Sequence, residues 1–338
     1  MLFFLVMFEE AQLYSPVTQS DDGKVEVHLG KDHPGFNDPV YRERRNAIAA
    51  NAMVWQPGTP VPQVAYTEQE DAIWRTVSTE LHTKHELYAV REYLEAKERL
   101  GLPEDRVPQL NEVTARLEPL TGFRYDPAPG LVPLREFYGS LADRVFHSTQ
   151  YVRHPSEPLY TPEPDVIHEV IGHGNMLASP RFAALKKAAG EAARRVETDD
   201  ALQLIADIFW FTMEFGVMRE DGELRAYGAG ILSSYGEIDE FRHMEIRPLD
   251  LVEMGAIEYD ITKYQPVLYC AESMDELEHV VGGFFESADD ETRARMTPAS
   301  ATKLLSLAPS APATTAPCGR ARFGAAGRSG GAPRTPRG

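Results

Sequence analysis

The densest chemistry in this 338-residue chain lies in Tyr160-Thr-Pro-Glu-Pro-Asp165-Val-Ile-His168-Glu169-Val-Ile-Gly172-His173. A proline-rich, acidic lead-in stops at Asp165, a residue type that caps helix N-termini, and the apolar run behind it predicts a helix over Asp165–Ile171. His168 and His173 stand five residues apart. On an ideal α-helix that spacing leaves the two side chains about 140° out of line, so joint chelation requires the helix to end between them. Gly172 can end it, because glycine adopts the left-handed conformation of a helix C-terminus at little cost. The zinc-protease pattern H-E-x-x-H needs its histidines four apart on one helical face, one fewer than here. Taken alone, the pair is equally compatible with capping or core histidines.

A carboxylate in an apolar setting follows in Asp207-Ile-Phe-Trp-Phe-Thr-Met-Glu214-Phe-Gly216. Isolated there, it loses several kcal/mol of hydration unless it is paired or binds a metal. Glu214 therefore requires a cation, either a metal ion or a buried arginine. Two imidazoles, one carboxylate and no thiolate fit the facial triad of non-heme Fe(II) oxygenases, which leaves positions on one side of the metal for water, O2 and cosubstrate.

Outward from these segments, apolar residues three and four apart mark helices at Val40–Ala52, in Thr67–Leu100 and its continuation through Leu117, and at Leu134–Leu141, Pro180–Arg195, Asp200–Gly216, Leu249–Gly255 and Asp275–Phe285. Strand signals are sparse. Val217–Tyr227, with Asp221-Gly222 as its turn, predicts one hairpin. The expected fold is mainly α with a small antiparallel β element, in a single catalytic domain over residues 61–300 preceded by an arm at residues 1–60. Residues 309–338 carry five arginines and no acid among Pro, Gly, Ala, Ser and Thr, the composition of a disordered tail.

The formal charge is −18, and −23 without that tail. Such a surface repels phosphate backbones and anionic lipid, so no nucleic acid and no membrane partner is expected, and small-molecule chemistry is the default. Met1–Phe8 is apolar but has no basic flank and is too short to span a bilayer, so it predicts neither signal peptide nor anchor. Cys270 and Cys318 form no C-x-x-C arrangement, which suits a reducing cytoplasm.

The ordered series Gly122-Phe-Arg124, Phe146-His-Ser-Thr-Gln-Tyr-Val-Arg-His154, Tyr160–Asp165, His168-Glu169, Gly172-His173, Trp210–Gly216, Ala226–Ser234 and Ala271-Glu-Ser273 resembles the pterin-dependent aromatic amino acid hydroxylases, over roughly residues 120–285. The resemblance implies an Fe(II) enzyme that uses a tetrahydropterin and O2 to hydroxylate an aromatic amino acid. L-Phenylalanine, giving L-tyrosine, is the first choice of substrate. Trp210 and Tyr227 favour it, since the family's tryptophan enzymes carry phenylalanine at both places; tryptophan hydroxylation is the nearest alternative. From other classes, a zinc hydrolase using His168, His173 and Glu214 and a catalytically inert binding protein are the rivals.

Carried over position by position, the resemblance makes His168, His173 and Glu214 the catalytic iron ligands. It places Arg153 on the substrate carboxylate, Thr161 and Ser233 on the same amino acid, and Pro164 and Trp210 around its ring. Gly230 gives close backbone approach in the substrate region, as does Gly228, and Tyr259 sits on a mobile loop there. For the pterin, Phe137 stacks on the ring, Gly130 and Val132 flank it, and His147 and Glu169 lie close by. Phe209 stands next to pterin and iron where the animal enzymes have tyrosine, and Gly174-Asn175 replaces the usual Val-Pro after the second histidine. A monomer or weak oligomer is expected.

Overall fold

Side-chain caps mark the starts of four of the eight principal helices. The computed structural model describes residues 15–260 and 263–296, so Met1–Phe8 and the tail at 309–338 lie outside the described residues. In chain order these helices are α1 (Pro39–Val54), α2 (Glu68–Tyr88), α3 (Arg91–Leu100), α4 (Leu110–Thr121), α5 (Leu134–Leu141), α6 (Pro180–Arg195), α7 (Asp199–Phe209) and the short α8 (Ala229–Ser233). Asp38, Thr67, Ser179 and Thr198 turn side-chain oxygens onto the first free N–H groups of α1, α2, α6 and α7. Thr67 and Glu70 complete a reciprocal capping box, Glu70 N to Thr67 Oγ1 at 3.2 Å and Thr67 N to Glu70 Oε2 at 2.7 Å.

The apolar pattern from Thr67 through Leu117 predicts two or three helices, and the structure has three, α2, α3 and α4, the first two parting at Ala89-Val90. There the backbone turns extended, and Val90 N donates to Ala226 O at 3.0 Å. The buried faces of α2 (Ile73, Trp74, Val77, Leu81), α6 (Phe182, Leu185, Ala189) and α7 (Leu202, Ile205, Ile208) join one continuous apolar core.

Asp221-Gly222 makes the expected hairpin, with φ of 52° and 83° as the tight turn demands, joining β5 (Val217–Glu220) to β6 (Glu223–Ala226). The β element is larger than the sequence suggests. Strands β1 (Val17–Gln19) and β2 (Val25–Val27) pair near the start of the chain, and β3 (Arg124–Pro127) and β4 (Val145–Ser148) form a parallel pair. β8 (Val267–Ala271) adds to β5 in parallel and β7 (Glu245–Pro248) adds to β8, giving a mixed sheet in the order β6-β5-β8-β7. Val-Leu-Tyr-Cys-Ala is buried throughout, so it shows no alternation by which a strand is recognised.

The arm residues carry buried chemistry of their own. Val25, Val27, Leu29 and Ala49 pack α1 against the β1–β2 hairpin. Arg45 of α1, 3% exposed, reaches Glu163 at 2.7 Å and lies over the Tyr151 ring at 3.3 Å. His33 lies 3.4 Å from the same carboxylate. Burial alone would raise the Glu163 pKa; Arg45, His33 and Ser15 hold it below the usual range.

His85 ties α2 to α8, and its ring must be neutral. Lys97 Nζ donates to Nδ1 at 3.2 Å, while Nε2–H donates to Leu232 O at 2.6 Å. Burial first, and then Lys97, lowers its pKa to about 3. A folded-state value below the unfolded one means stability is lost as pH falls below about 6.5, where the unfolded chain binds the proton and the folded chain does not. His85→Gln is expected to flatten the acid side of the stability profile between about pH 6.5 and 4, as measured by urea unfolding at a series of pH values.

Candidate active site

Asp165 organises the entrance to the site. Its carboxylate accepts from Arg153 Nε (2.9 Å), Nη2 (2.8 Å) and backbone N (2.9 Å), and from the His168 backbone N–H (3.2 Å). It is the helix cap the sequence suggests and also one half of a buried ion pair, with side-chain exposures of 2% and 0%. Burial opposes its charge, yet Arg153 and these hydrogen bonds keep its pKa below normal.

The helix behind it does not end at Gly172. It continues through a π-helix, His168–Gly174, into Asn175–Leu177. A π-turn closes i→i+5 hydrogen bonds, so the extra residue per turn brings positions 168 and 173 into line without a break. Gly172 has no positive φ; a Cβ there would meet Ala229 O at 2.8 Å, so glycine is needed for the close approach of α8. A second π-helix, Trp210–Glu214, extends α7. Gly228 serves similarly, since its Cβ would fall 2.2 Å from Glu214 O.

These two widened segments bring the three donors together. His173 Nε2 lies 3.1 Å from His168 Nε2 and 3.1 Å from Glu214 Oε1, and His168 Nε2 lies 3.8 Å from Glu214 Oε2. Among the described residues they form a potential metal-binding group with ligand atoms within 4.8 Å of one another. Two donors about 2.1 Å from one ion at a right angle sit roughly 3.0 Å apart, so the spacing fits three adjacent corners of an octahedron. No arginine pairs with Glu214 among the described residues' ion pairs. Burial and the neighbouring His173 lower His168 to about 4, burial and Lys186 lower His173 well below the usual range, and burial raises Glu214. Each group resists its own charge in this pocket, which favours neutral imidazoles whose lone pairs are open to a cation.

The second ring nitrogens are also held. Ser233 Oγ donates to Gly230 O at 3.3 Å and lies 2.7 Å from His168 Nδ1, so Nδ1–H donates to the hydroxyl and Nε2 is left free. Ser233, suggested as a substrate contact, thus orients a ligand. Lys186 Nζ lies 2.7 Å from His173 Nδ1.

The triad faces a cavity of about 1060 Å³. Arg153, Thr161, Pro164, Trp210, Gly230, Ser233 and Tyr259 line it, as do Gly130, Val132, Phe137, His147 and Glu169. Trp210 stacks on Tyr259 (5.0 Å, 16°) and meets Phe215 at 4.6 Å, forming an aromatic wall. Phe209 does not line the cavity. It is 1% exposed and packs edge-on against Tyr138 at 5.1 Å, behind the wall. Tyr227 is likewise away from the cavity, stacked on Phe182 at 5.7 Å, so it does not sort substrates by contact.

Sequence reasoning missed Lys186, Gln203 and Glu237. The last two line the cavity, and burial pushes Glu237 up to about 7. Lys186 had a readable signal, because with Phe182, Ala189 and Ala193 it occupies the buried face of α6.

The family model of the biopterin-dependent aromatic amino acid hydroxylases matches residues 18–306. The chain belongs to this family. As such a hydroxylase it is an iron- and pterin-dependent monooxygenase, mainly helical, with His168, His173 and Glu214 as its iron-binding triad. The hydroxylase is 52% identical over 264 residues to phenylalanine 3-hydroxylase of Streptomyces coeruleorubidus, covering 78% of this chain and 95% of that one. It is 42% identical over 264 residues to phenylalanine-4-hydroxylase of Bos taurus, covering 76% of this chain but only 58% of that longer protein. Its fold is similar to that of Chromobacterium violaceum phenylalanine hydroxylase with bound iron(III) and oxidized 7,8-dihydrobiopterin, with TM-score 0.64 and 28% identity over 77% of this chain and 92% of that one.

His168→Ala is expected to lose stoichiometric iron, read by metal analysis, and with it all turnover. Gly172→Ala is expected to cost about 1–3 kcal/mol through overpacking against α8, read as a lowered denaturation midpoint.

Proposed function

We propose that this hydroxylase adds one oxygen atom of O2 to the para carbon of L-phenylalanine, giving L-tyrosine. The observation that carries this reading is the placement of the triad on the wall of a cavity whose other lining includes the Trp210, Tyr259 and Phe215 rings together with Phe137, Gly130 and Val132. Ferrous iron and a reduced pterin, when bound, supply the activation of O2 that protein side chains cannot. The protein binds, orients and excludes water.

In this reading Trp210 and Pro164 hold the substrate ring, an apolar surface being what an unactivated benzene ring needs. Arg153 receives the substrate carboxylate through Nη1, because Nε and Nη2 are engaged by Asp165. Thr161, whose Oγ1 donates to Glu163 O at 2.7 Å, stiffens the loop beside it. Gly230 lets the backbone approach the amino acid, and Tyr259 closes over it from the Trp210 side. Phe137 stacks on the pterin, with typical gain of about 0.5–1.5 kcal/mol beyond burial. Gly130 and Val132 flank it, and His147 and Glu169 hydrogen bond to its edge. Phe209 shapes the site from behind.

We take residues 61–300 as the catalytic domain, with residues 1–60 as an arm upon it and 309–338 as a tail without a role in the reaction. No described helix is long and apolar enough to cross a membrane. A cytoplasmic monomer or weak oligomer suits the acidic composition.

A second reading concerns only the carbon attacked. The 52% identity to a phenylalanine 3-hydroxylase favours the meta position, with meta-tyrosine as product. Loading the purified protein with Fe(II), supplying tetrahydropterin and O2, and offering phenylalanine, tryptophan and tyrosine separately tests all of this. L-Tyrosine from phenylalanine, with pterin consumed in parallel, is expected. Meta-tyrosine would shift the assignment to the second reading, and product from tryptophan alone would overturn both. Exchange of iron for zinc is expected to abolish turnover, since Zn(II) has no redox chemistry; a protein that carries stoichiometric zinc by metal analysis and takes up no O2 with pterin would point instead to a zinc hydrolase.

A further inference from the structure

Lys186 is wholly buried on α6, a rare place for lysine unless its charge is paired. Among the described residues it makes no ion pair with a carboxylate, and its one hydrogen-bond contact is to His173 Nδ1, 2.7 Å from Nζ. The rings of Phe146 and Phe209 stand 5.5 and 5.1 Å from the amine. Phe146 also packs on the His173 ring itself, at 4.7 Å. The amine is therefore enclosed by aromatic rings and directed at one atom.

We propose that Lys186 is a positioning residue of the iron site, which fixes the His173 ring through Nδ1 so that Nε2 points at the metal. A metal-bound histidine takes its orientation and donor strength from the partner of its other nitrogen, commonly a carboxylate or a carbonyl. Here the two histidines are held differently, His168 by the Ser233 hydroxyl and His173 by an amine. An amine orients the ring without placing an anion behind it, so His173 gains direction and none of the basicity a carboxylate would lend. Phe209 acquires a purpose in the same arrangement. A phenyl ring offers the amine no hydrogen-bonding partner of its own, so the amine stays with the histidine.

This inference rests on His173 being an iron ligand, and the experiment separates the two. Co(II), the probe, is titrated into the metal-free full-length protein and followed by visible absorption. Lys186→Met keeps the length and removes the polar contact. It is expected to weaken Co(II) binding about 10–100-fold and to move the cobalt absorption bands, while the metal-free protein melts no lower than the parent. Lys186→Gln, which can again meet Nδ1, is expected to recover part of the affinity. If Lys186→Met binds Co(II) as tightly as the parent with the same spectrum, or if Gln binds no better than Met, the inference is overturned. If the parent itself fails to bind Co(II), the metal assignment falls instead. Should Lys186→Met not fold, the 15N-labelled parent loaded with Zn(II) decides. A His173 Nδ1 proton protected and shifted downfield supports the inference; one exchanging freely with water overturns it.

Discussion

Everything in the site depends on one extra residue in a helical turn. His168 and His173 are separated by a spacing an α-helix would splay, and the π-helix that carries them restores their alignment. The widened turn has less favourable geometry than an α-turn and needs support from its surroundings. That support is on both sides. Asp165 caps the first residues and is itself clamped by Arg153, while Gly172 admits the backbone of α8 to close contact. Tyr93 Oη donates to Ile171 O at 2.8 Å, and Asn175 Nδ2 reaches the same carbonyl at 2.9 Å. The carbonyl of the widened turn is thus met by side chains, as buried polar groups must be.

The electrostatics follow the same logic. Three donors, each penalised for its own charge by burial, are held 3.1 to 3.8 Å from one another. Such an arrangement gains most from a small divalent cation, which offsets the carboxylate's desolvation and uses both imidazole lone pairs. The cavity beyond is walled in large part by aromatic and aliphatic side chains, with charged groups at the triad and Glu169, at Arg153 and Glu163, and at Glu237, Asp260 and Lys263. Large, mostly apolar sites with a few placed polar groups are suited to orienting an aromatic substrate whose ring has no polar handle.

Much of this was legible in the residues. Apolar spacing placed α1, α2, α6 and α7 to within a few residues, and Asp221-Gly222 marked the hairpin. The triad could be read from the isolation of Glu214 and the paired histidines, but the means by which they meet could not. A π-helix has no composition of its own, so periodicity alone favoured a helix end at Gly172. Strands β7 and β8 escaped because β8 is buried on both faces and β7 is short. Lys186 escaped for another reason: a lysine beside Lys187 on an amphipathic helix is ordinarily read as solvated, and only its register with Phe182 and Ala189 says otherwise. Whether a side chain faces the cavity or stands one layer back, as Phe209 and Tyr227 do, depends on tertiary packing that a pattern does not encode.

The Arg45–Glu163 contact has a bearing on how the enzyme can be trimmed. Glu163 lies in the loop that lines the cavity, yet its main counter-charge comes from α1, more than a hundred residues earlier. Cutting the protein at residue 60 to isolate a minimal catalytic unit would strand that acid in a dry setting, where removing one member of a buried pair typically costs about 3–5 kcal/mol. The arm and the cavity-lining loop therefore form a single mechanical element, and the boundary of the working unit lies upstream of where the periodic helices begin.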